Sequence, residues 1–274
     1  MPLGDVMGAA LSQSMNLVQA DHAALKRIPF TSRTYLREAA ILQAGETPVD
    51  LHVVLSGVAE RVVTTRTGHR QIIGFLLPGD FFDWQLYQMN SRLAPPDQVS
   101  LDHSVVALAG CTIGVVRHQV LRKTLEDFPP LAEAFERRAL RELAITRESI
   151  VNLAGRRATV RLGHLICELF VRLAAMHLVH GASCRLHLTQ VHLAEALGLS
   201  AVHVNRGLQA LRAEQLLIWR GGVLHLPDLA RLERVSEFTG AYLDVGKARR
   251  WSGVGNEDGR PIGSDPGAGP HPTH

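Results

Sequence analysis

The segment from Thr189 to Glu214 leaves the chain the least freedom. Two short helices that meet across a tight turn need a small residue where they touch. They also need a glycine free to take positive φ in the turn and a buried branched residue anchoring the second helix. Ala194, Gly198 and Val204 supply these at offsets of four and six residues, with Leu193, Leu197 and Leu199 as apolar packing neighbours. Thr189 stands where the first helix needs an N-cap and Ser200 where the second does. Gly207 departs from the pattern, since an apolar residue is expected near there, although Leu208 and Leu211 can fill the core. The spacing therefore predicts a helix-turn-helix.

Directly after it, Leu216–Trp219 and Val223–Leu226 are apolar runs joined by Arg220-Gly221-Gly222, a hairpin signature that reads as a wing. Charge agrees with the motif. Residues 155–250 hold 13 Lys/Arg against 7 Asp/Glu, while the whole chain has a net charge of only +3. The positive excess sits in the block that holds the motif, which suits a polyanionic partner. On this reading Thr189, Gln190, Ser200, Arg212, Arg220, Arg156 and Arg157 meet phosphates. Ala201, Val202, His203, Asn205, Arg206 and Gln209 lie on the first turns of the groove-facing helix and read bases.

Upstream the pattern changes. Leu51–Leu55, Arg61–Thr65, Gln71–Leu77, Val105–Leu108 and Thr112–Val116 are short β-rich runs, punctuated by Gly57, Gly68 and Pro78-Gly79-Asp80. Runs of this length and spacing predict an antiparallel roll, with residues 5–30 supplying a helical cap. A long helix is expected next, N-capped by Asp127 with Pro129 and Pro130 in its first turn. Leu131, Phe135, Ala139, Leu143, Ile150 and Leu153 recur along it near helical spacing. This stripe reads either as an ordinary core face or as a dimer seam resembling a coiled coil. Gly155-Arg156-Arg157 interrupts it as a hinge, and the helical pattern resumes from Ala158 to Val179. The expected fold is α+β: a roll at 1–127, a dimerisation helix at 128–154, a winged helix-turn-helix at 155–238 and a disordered tail at 246–274.

Several function classes drop out. The longest uncharged apolar stretch, Ser104–Val116, contains Gly110 and Gly114 and falls short of the roughly 20 residues of a membrane-spanning helix. The N-terminus lacks a basic flank and carries Asp5, which does not suit a secretory signal. The 3 cysteines, Cys111, Cys167 and Cys184, are odd in number and widely spaced, against a disulfide framework or a cysteine-rich metal site. A reducing cytoplasm is the expected compartment. No P-loop, zinc-protease or nucleophile-elbow motif is present, so no enzyme is expected.

At this point the sequence resembles the family of the cyclic-AMP receptor protein and the fumarate–nitrate reductase regulator (Crp/Fnr), over about residues 25–238. The likeness rests on Leu51–Gly57, on Leu77-Pro78-Gly79-Asp80, on the long helix and hinge, and on the winged reader. The resemblance implies a cyclic-nucleotide-binding-like β-roll and a homodimeric transcription regulator on a roughly palindromic stretch of double-stranded DNA. It also implies contact with RNA polymerase if the protein activates, and a small-molecule effector of unknown identity.

Two departures shape the expectation. Family members that bind cyclic AMP carry a cationic, hydroxyl-rich phosphate site. Here the stretch begins Gly79-Asp80-Phe81-Phe82-Asp83 and ends at Leu101-Asp102-His103, so acidic groups stand where an anion would be met. Cyclic AMP is therefore not the expected ligand, and Arg92 lies in an irregular stretch ending at Pro95-Pro96. In the reader, family helices often carry Arg-Glu-x-x-x-Arg. This chain has Ala201-Val202-His203-Val204-Asn205-Arg206, which keeps only the last arginine to read a guanine. The operator should differ accordingly. No cysteine precedes Cys111 to hold the family's iron–sulfur cluster. No cofactor is expected, the alternative being a haem-based gas sensor with Pro2 and either His69 or His103 as ligands. The other alternative is a protein-binding module whose roll is a ligand-free scaffold.

Overall fold

The computed structural model describes residues 2–82, 84, 87, 88 and 99–243. Expectations for Asp83, Arg92, Pro95, Pro96 and the tail at 246–274 lie outside the described residues. Two helices come first, α1 (Leu3–Leu11) and α2 (Gln19–Arg27). Leu3, Val6, Met7, Ala10 and Leu11 of α1 are all buried, so this helix is part of the core and not a loose cap.

The roll follows as β1 (Thr31–Tyr35), β2 (Ala40–Leu42), β3 (Asp50–Ser56), β4 (Ala59–Thr64), β5 (Arg70–Leu76), β6 (Phe81–Phe82), β7 (Ser104–Ala107) and β8 (Cys111–Arg117). They form two antiparallel sheets, ordered β1-β8-β3-β6 and β2-β7-β4-β5. The five apolar runs read from the sequence become β3, β4, β5, β7 and β8. Three further strands escaped that reading for a physical reason. β1 is the polar run Thr-Ser-Arg-Thr-Tyr, largely exposed, and exists because it pairs with β8. β2 and β6 have three and two residues, too few to show an alternation.

The helices after the roll revise two expectations. Asp127 does not cap the long helix, because it ends a separate helix, α3 (His118–Asp127). The long helix α4 (Pro129–Gly155) has Phe128 at its N-cap and no side-chain cap. Prolines in its first two positions remove two of the donors a cap would satisfy, and the Leu131 amide donates to Phe128 O (2.9 Å) instead. The proposed seam also divides. Leu131 and Phe135 are buried in the chain's own core, with Phe135 stacked on Phe81 (5.0 Å) and on Trp84 (4.7 Å). They cannot also face a second copy. Ala139 is partly buried against the same core. Leu143, Ile150 and Leu153 do remain exposed, joined by Leu140 and Val151. The helix thus turns its first half inward and a different apolar face outward.

The chain breaks at Arg156, in extended conformation (φ −107°, ψ 147°), and enters α5 (Ala158–Ala175). The point that ties these helices to the roll is the turn Leu77-Pro78-Gly79-Asp80. Gly79 sits at φ +90°, and a Cβ there would run into the Met176 thioether and Ala10. The next residue, Asp80, is buried and accepts from Arg138 of α4, from Arg172 of α5 (2.5 Å) and from the Leu77 amide (2.6 Å). Arg138 also donates to Gly79 O (3.1 Å), and Arg172 donates to Phe75 O (2.9 Å) and Glu168 (3.0 Å). One carboxylate therefore joins roll, long helix and the first helix of the C-terminal domain.

Burial alone would raise the pKa of Asp80, but Arg172, Arg138 and the Leu77 amide outweigh it and hold the carboxyl below its ordinary value. A depressed folded-state pKa contributes stability that is full above the unfolded carboxylate value and is lost as pH falls through the folded one. Asp80→Asn should lower the unfolding free energy by about 3–5 kcal/mol at pH 7, because buried Arg138 loses its counter-charge and Arg172 keeps only Glu168. Urea titrations at pH 7 and across the acid limb check this. The variant should also show the shallower loss of stability on acidification.

Candidate nucleic-acid interface

The C-terminal domain packs α5 against α6 (Gln190–Leu197) and α7 (Ala201–Ala213), with a sheet ordered β11-β12-β10-β9. Its strands are β9 (Val179–His180), β10 (Ser183–Arg185), β11 (Ile218–Arg220) and β12 (Val223–His225). A final helix, α8 (Leu229–Val235), closes the domain. β11 and β12 are the anticipated wing. The pair β9–β10 was not anticipated, since it is interrupted by Gly181 and only the wing gives it a partner.

Every local device in the helix pair has a visible cause. Thr189 Oγ1 accepts from the His192 amide (3.2 Å), and His192 Nδ1 accepts in return from the Thr189 amide (3.2 Å). Burial pushes the His192 pKa down, with Arg37 and Arg70 adding to it against the opposing pull of Glu195, which favours the neutral imidazole that can accept. Gly198 takes φ +59° as the left-handed residue ending α6, and the Leu199 amide reaches back to Ala194 O (3.0 Å). Ser200 caps α7, accepting from the His203 amide (3.3 Å). Leu193, Ala194, Leu197, Val204, Leu208 and Leu211 are buried together.

That packing leaves one face of α7 outward. Ala201, Val202, His203, Asn205, Arg206 and Gln209 are all exposed, so the residues expected to read bases share one surface. They are not equivalent. His203 Nδ1 pairs with the Ser200 hydroxyl (2.8 Å), and Asn205 donates to Gln190 on α6 (3.3 Å). Arg206 has no hydrogen bond or ion pair among the described residues and projects as an uncommitted guanidinium. Arg157 and Arg220 are exposed and Arg212 half-buried, while Thr189 and Gln190 lie half-buried at the start of α6. Arg156 is the exception. It is nearly enclosed and pairs with Glu148 (2.6 Å) and Glu237 (3.6 Å), so the fold uses it internally and it is withdrawn from the phosphate set. Its carboxylate partners stand eight and 81 residues away in sequence, which hid the pairing from a local reading.

Sequence reasoning also missed a contact between the two domains. Arg70, on β5, pairs with the buried Glu60 and with Glu195 of α6, and Gln71 donates to Glu195 O. The helix-turn-helix is thereby docked on the β4–β5 hairpin of the roll.

The haem candidates sit apart in kind: Pro2 is the N-cap residue of α1, His69 lies exposed at the β4–β5 turn, and His103 pairs with Asp102 (2.6 Å). All three cysteines are buried, and burial pushes the Cys111 and Cys184 thiols up to about 12, so neither is a thiolate at neutral pH. Among the described residues no helix is long and apolar enough to cross a membrane.

Comparison with known proteins covers both halves. Residues 32–128 match the cyclic nucleotide-binding domain, and residues 160–235 match the Crp-like helix-turn-helix domain. The chain is similar to the nitrogen fixation regulation protein FixK of Azorhizobium caulinodans, 26% identical over 202 residues that cover 74% of each protein. It is 24% identical to the transcriptional activator protein FnrL of Cereibacter sphaeroides over 214 residues, 77% of this chain and 82% of that one. Among solved structures, FixK2 from Bradyrhizobium japonicum shares the fold with a TM-score of 0.64 at 21% identity, over 76% of this chain and 98% of that one.

Gly207, the departure in the motif, is explained by close approach. A Cβ there would come within 3.0 Å of Leu162 on α5, so the missing side chain lets the two helices cross tightly. Gly207→Leu, which restores the residue type expected from the motif, should destabilise the domain by about 1–3 kcal/mol through overpacking. Chemical denaturation followed by circular dichroism measures it.

Proposed function

The chain belongs to the Crp/Fnr family of DNA-binding transcription regulators, and we propose that it acts as a homodimer on a roughly palindromic operator. In this reading α7 enters the major groove and the β11–β12 wing lies along phosphate. The observation that carries it is the outward face of α7, a capped helix on which Arg206 is free to donate to O6 and N7 of a guanine. Val202 offers a methyl contact to thymine, and Ala201 makes no hydrogen bond with its side chain. Arg157, Arg212 and Arg220 provide the positive charge toward phosphate, with Thr189, Gln190 and Ser200 as shorter-range contacts at the helix starts. The relatives are regulators rather than enzymes. Where the operator lies relative to the promoter then decides whether the protein recruits RNA polymerase or blocks it.

The second copy is assigned to the outer face of α4. Leu140, Leu143, Arg147, Ile150 and Ala154 follow one another at alternating spacings of three and four and are all exposed, which is the pattern of a two-helix seam. The effector is a separate matter. Asp80 does not present free negative charge as its sequence position suggested, because Arg138 and Arg172 neutralise it. What disfavours cyclic AMP is instead the occupied state of those groups. Neither arginine is available to a phosphodiester, and Asp102, exposed beside His103, adds negative charge at the far end of the stretch.

Three outcomes test this reading. In gel shifts at fixed salt on an operator obtained by selection, Arg206→Ala should lose about 1–3 kcal/mol of affinity and relax preference at one base position. Arg220→Ala should weaken binding across all sequences and reduce the salt dependence by about one unit of slope. Unchanged affinity in Arg206→Ala would return the module to the protein-binding alternative. For the seam, Leu143→Glu combined with Ile150→Glu should convert a dimer to a monomer in sedimentation velocity. A dimer that survives both charges would place the interface elsewhere.

A further inference from the structure

The match to the Crp-like helix-turn-helix domain ends at residue 235, and the segment Ser236–Leu243 lies beyond it. This segment runs back over the break between α4 and α5. Glu237 (φ +52°) and Gly240 (φ +64°) turn the chain, and Phe238 and Leu243 are buried in the core of the C-terminal domain. A Cβ at Gly163 of α5 would run into Ser236, so the missing side chain there admits the segment. The short turn Ala241–Leu243 then rests against α4.

Tyr242 joins the groups on either side of the break. Its hydroxyl donates to Glu168 of α5 (2.9 Å), which leaves the phenolic oxygen as the acceptor toward Nε2 of the buried His164 (3.1 Å). Burial and the Glu168 carboxylate raise the Tyr242 pKa, so the phenol keeps the proton it donates. The same His164 nitrogen lies 3.4 Å from Glu148 of α4, the carboxylate that holds Arg156 at the break (2.6 Å). Arg156 in turn reaches Glu237 (3.6 Å). The His164 ring stacks on Tyr242 (6.0 Å) and meets Phe238 edge-on (5.1 Å). Strap, long helix and first reader helix therefore share one set of contacts.

We propose that Tyr242 is a positioning residue for operator recognition, which sets the angle of the reader on the long helix and thereby the half-site spacing. Arg156 is extended and interrupts the helical ladder, so rigidity across the break has to come from side chains. Asp80 holds α5 at Arg172, while the Tyr242 set holds it at His164, about 12 Å nearer the break by the helical rise. Two anchor points along a helix fix its direction where one leaves a pivot. The outer face of α4 carries the second copy, so the angle at the break decides how far apart the two copies of α7 stand, and half-sites must match that separation. The spacing consequence rests on the homodimeric DNA-binding reading, whereas the angle does not.

Gel shifts on the selected operator, and on versions lengthened or shortened by one base pair between half-sites, test the spacing, since each base pair rotates a half-site by about 35°. The wild-type chain should bind either shifted site at least tenfold more weakly. Tyr242→Phe keeps the ring and removes the hydroxyl; it should hold affinity for the correct site within threefold and narrow the discrimination at least threefold. A mere loss of stability would lower all three affinities in parallel. Single-molecule energy transfer between dyes at Lys123→Cys on α3 and Ala213→Cys at the end of α7, both exposed, reads the angle without DNA or a second copy. Cys111, Cys167 and Cys184 are buried and stay unlabelled. The transfer distribution should broaden in Tyr242→Phe, and also in Glu148→Gln, which loosens the same set from α4 and decides the question should Tyr242→Phe fail to fold. An unchanged distribution, or a spacing preference that survives intact, overturns the proposal and leaves the regulator reading standing. Wild-type protein that recognises no operator refutes that reading instead, and the transfer distribution then judges the angle by itself.

Discussion

A carboxylate enclosed by protein is costly unless its charge and lone pairs are met, and Asp80 has both met by groups from three separate parts of the chain. Leu77 contributes an amide from the same turn, Arg138 a guanidinium from α4, and Arg172 another from α5. None of these can be withdrawn without leaving charge buried. The turn must hold Gly79 at positive φ to aim the carboxylate, α4 must approach closely enough for Arg138 to reach it, and α5 must lie across the roll for Arg172. Roll, long helix and C-terminal domain are all tied to that one group, with Arg70, Gln71 and Glu195 as a second tie between roll and reader. Glu168 extends the arrangement, because it takes the other edge of Arg172 and also accepts from the Tyr242 hydroxyl (2.9 Å) beyond α8.

What the sequence made legible followed the distance over which each feature is decided. The helix-turn-helix is settled within about 25 residues by caps, a turn glycine and a buried valine, so its elements could be read directly. The wing and the five apolar roll strands are equally local. The short strands β2 and β6 exist only through pairing with β7 and β3, far along the chain, and the β9–β10 pair joins the wing through β12. Asp80 is the clearest case. By position it reads as a repulsive group in an anion site, yet its arginine partners lie 58 and 92 residues away and reverse the electrostatics.

The long helix shows the same limit in another form. Leu131, Phe135, Leu143 and Ile150 fit a single helical stripe, and periodicity cannot tell which neighbour a stripe meets. The fold settles it. The first half of α4 is covered by the aromatic residues of the roll and by α1, while past Ala139 the side that carries Leu140, Leu143 and Ile150 is exposed. One helix therefore serves an intramolecular core and an outward apolar face in sequence. Arg156 teaches a related lesson, since basic residues at a hinge look available until their carboxylates are located.

The pairing of Ser200 with the ring of His203 has a bearing on how DNA preference can drift in this protein. His203 stands on the face that meets base edges, and it also closes the start of the helix that presents them. Folding and recognition are thus entangled at that position, while Val202, Arg206 and Gln209 carry no such second duty. Changes of operator, whether selected in nature or in a randomised library, have their cheapest route through those three sites, and position 203 should be the last to move.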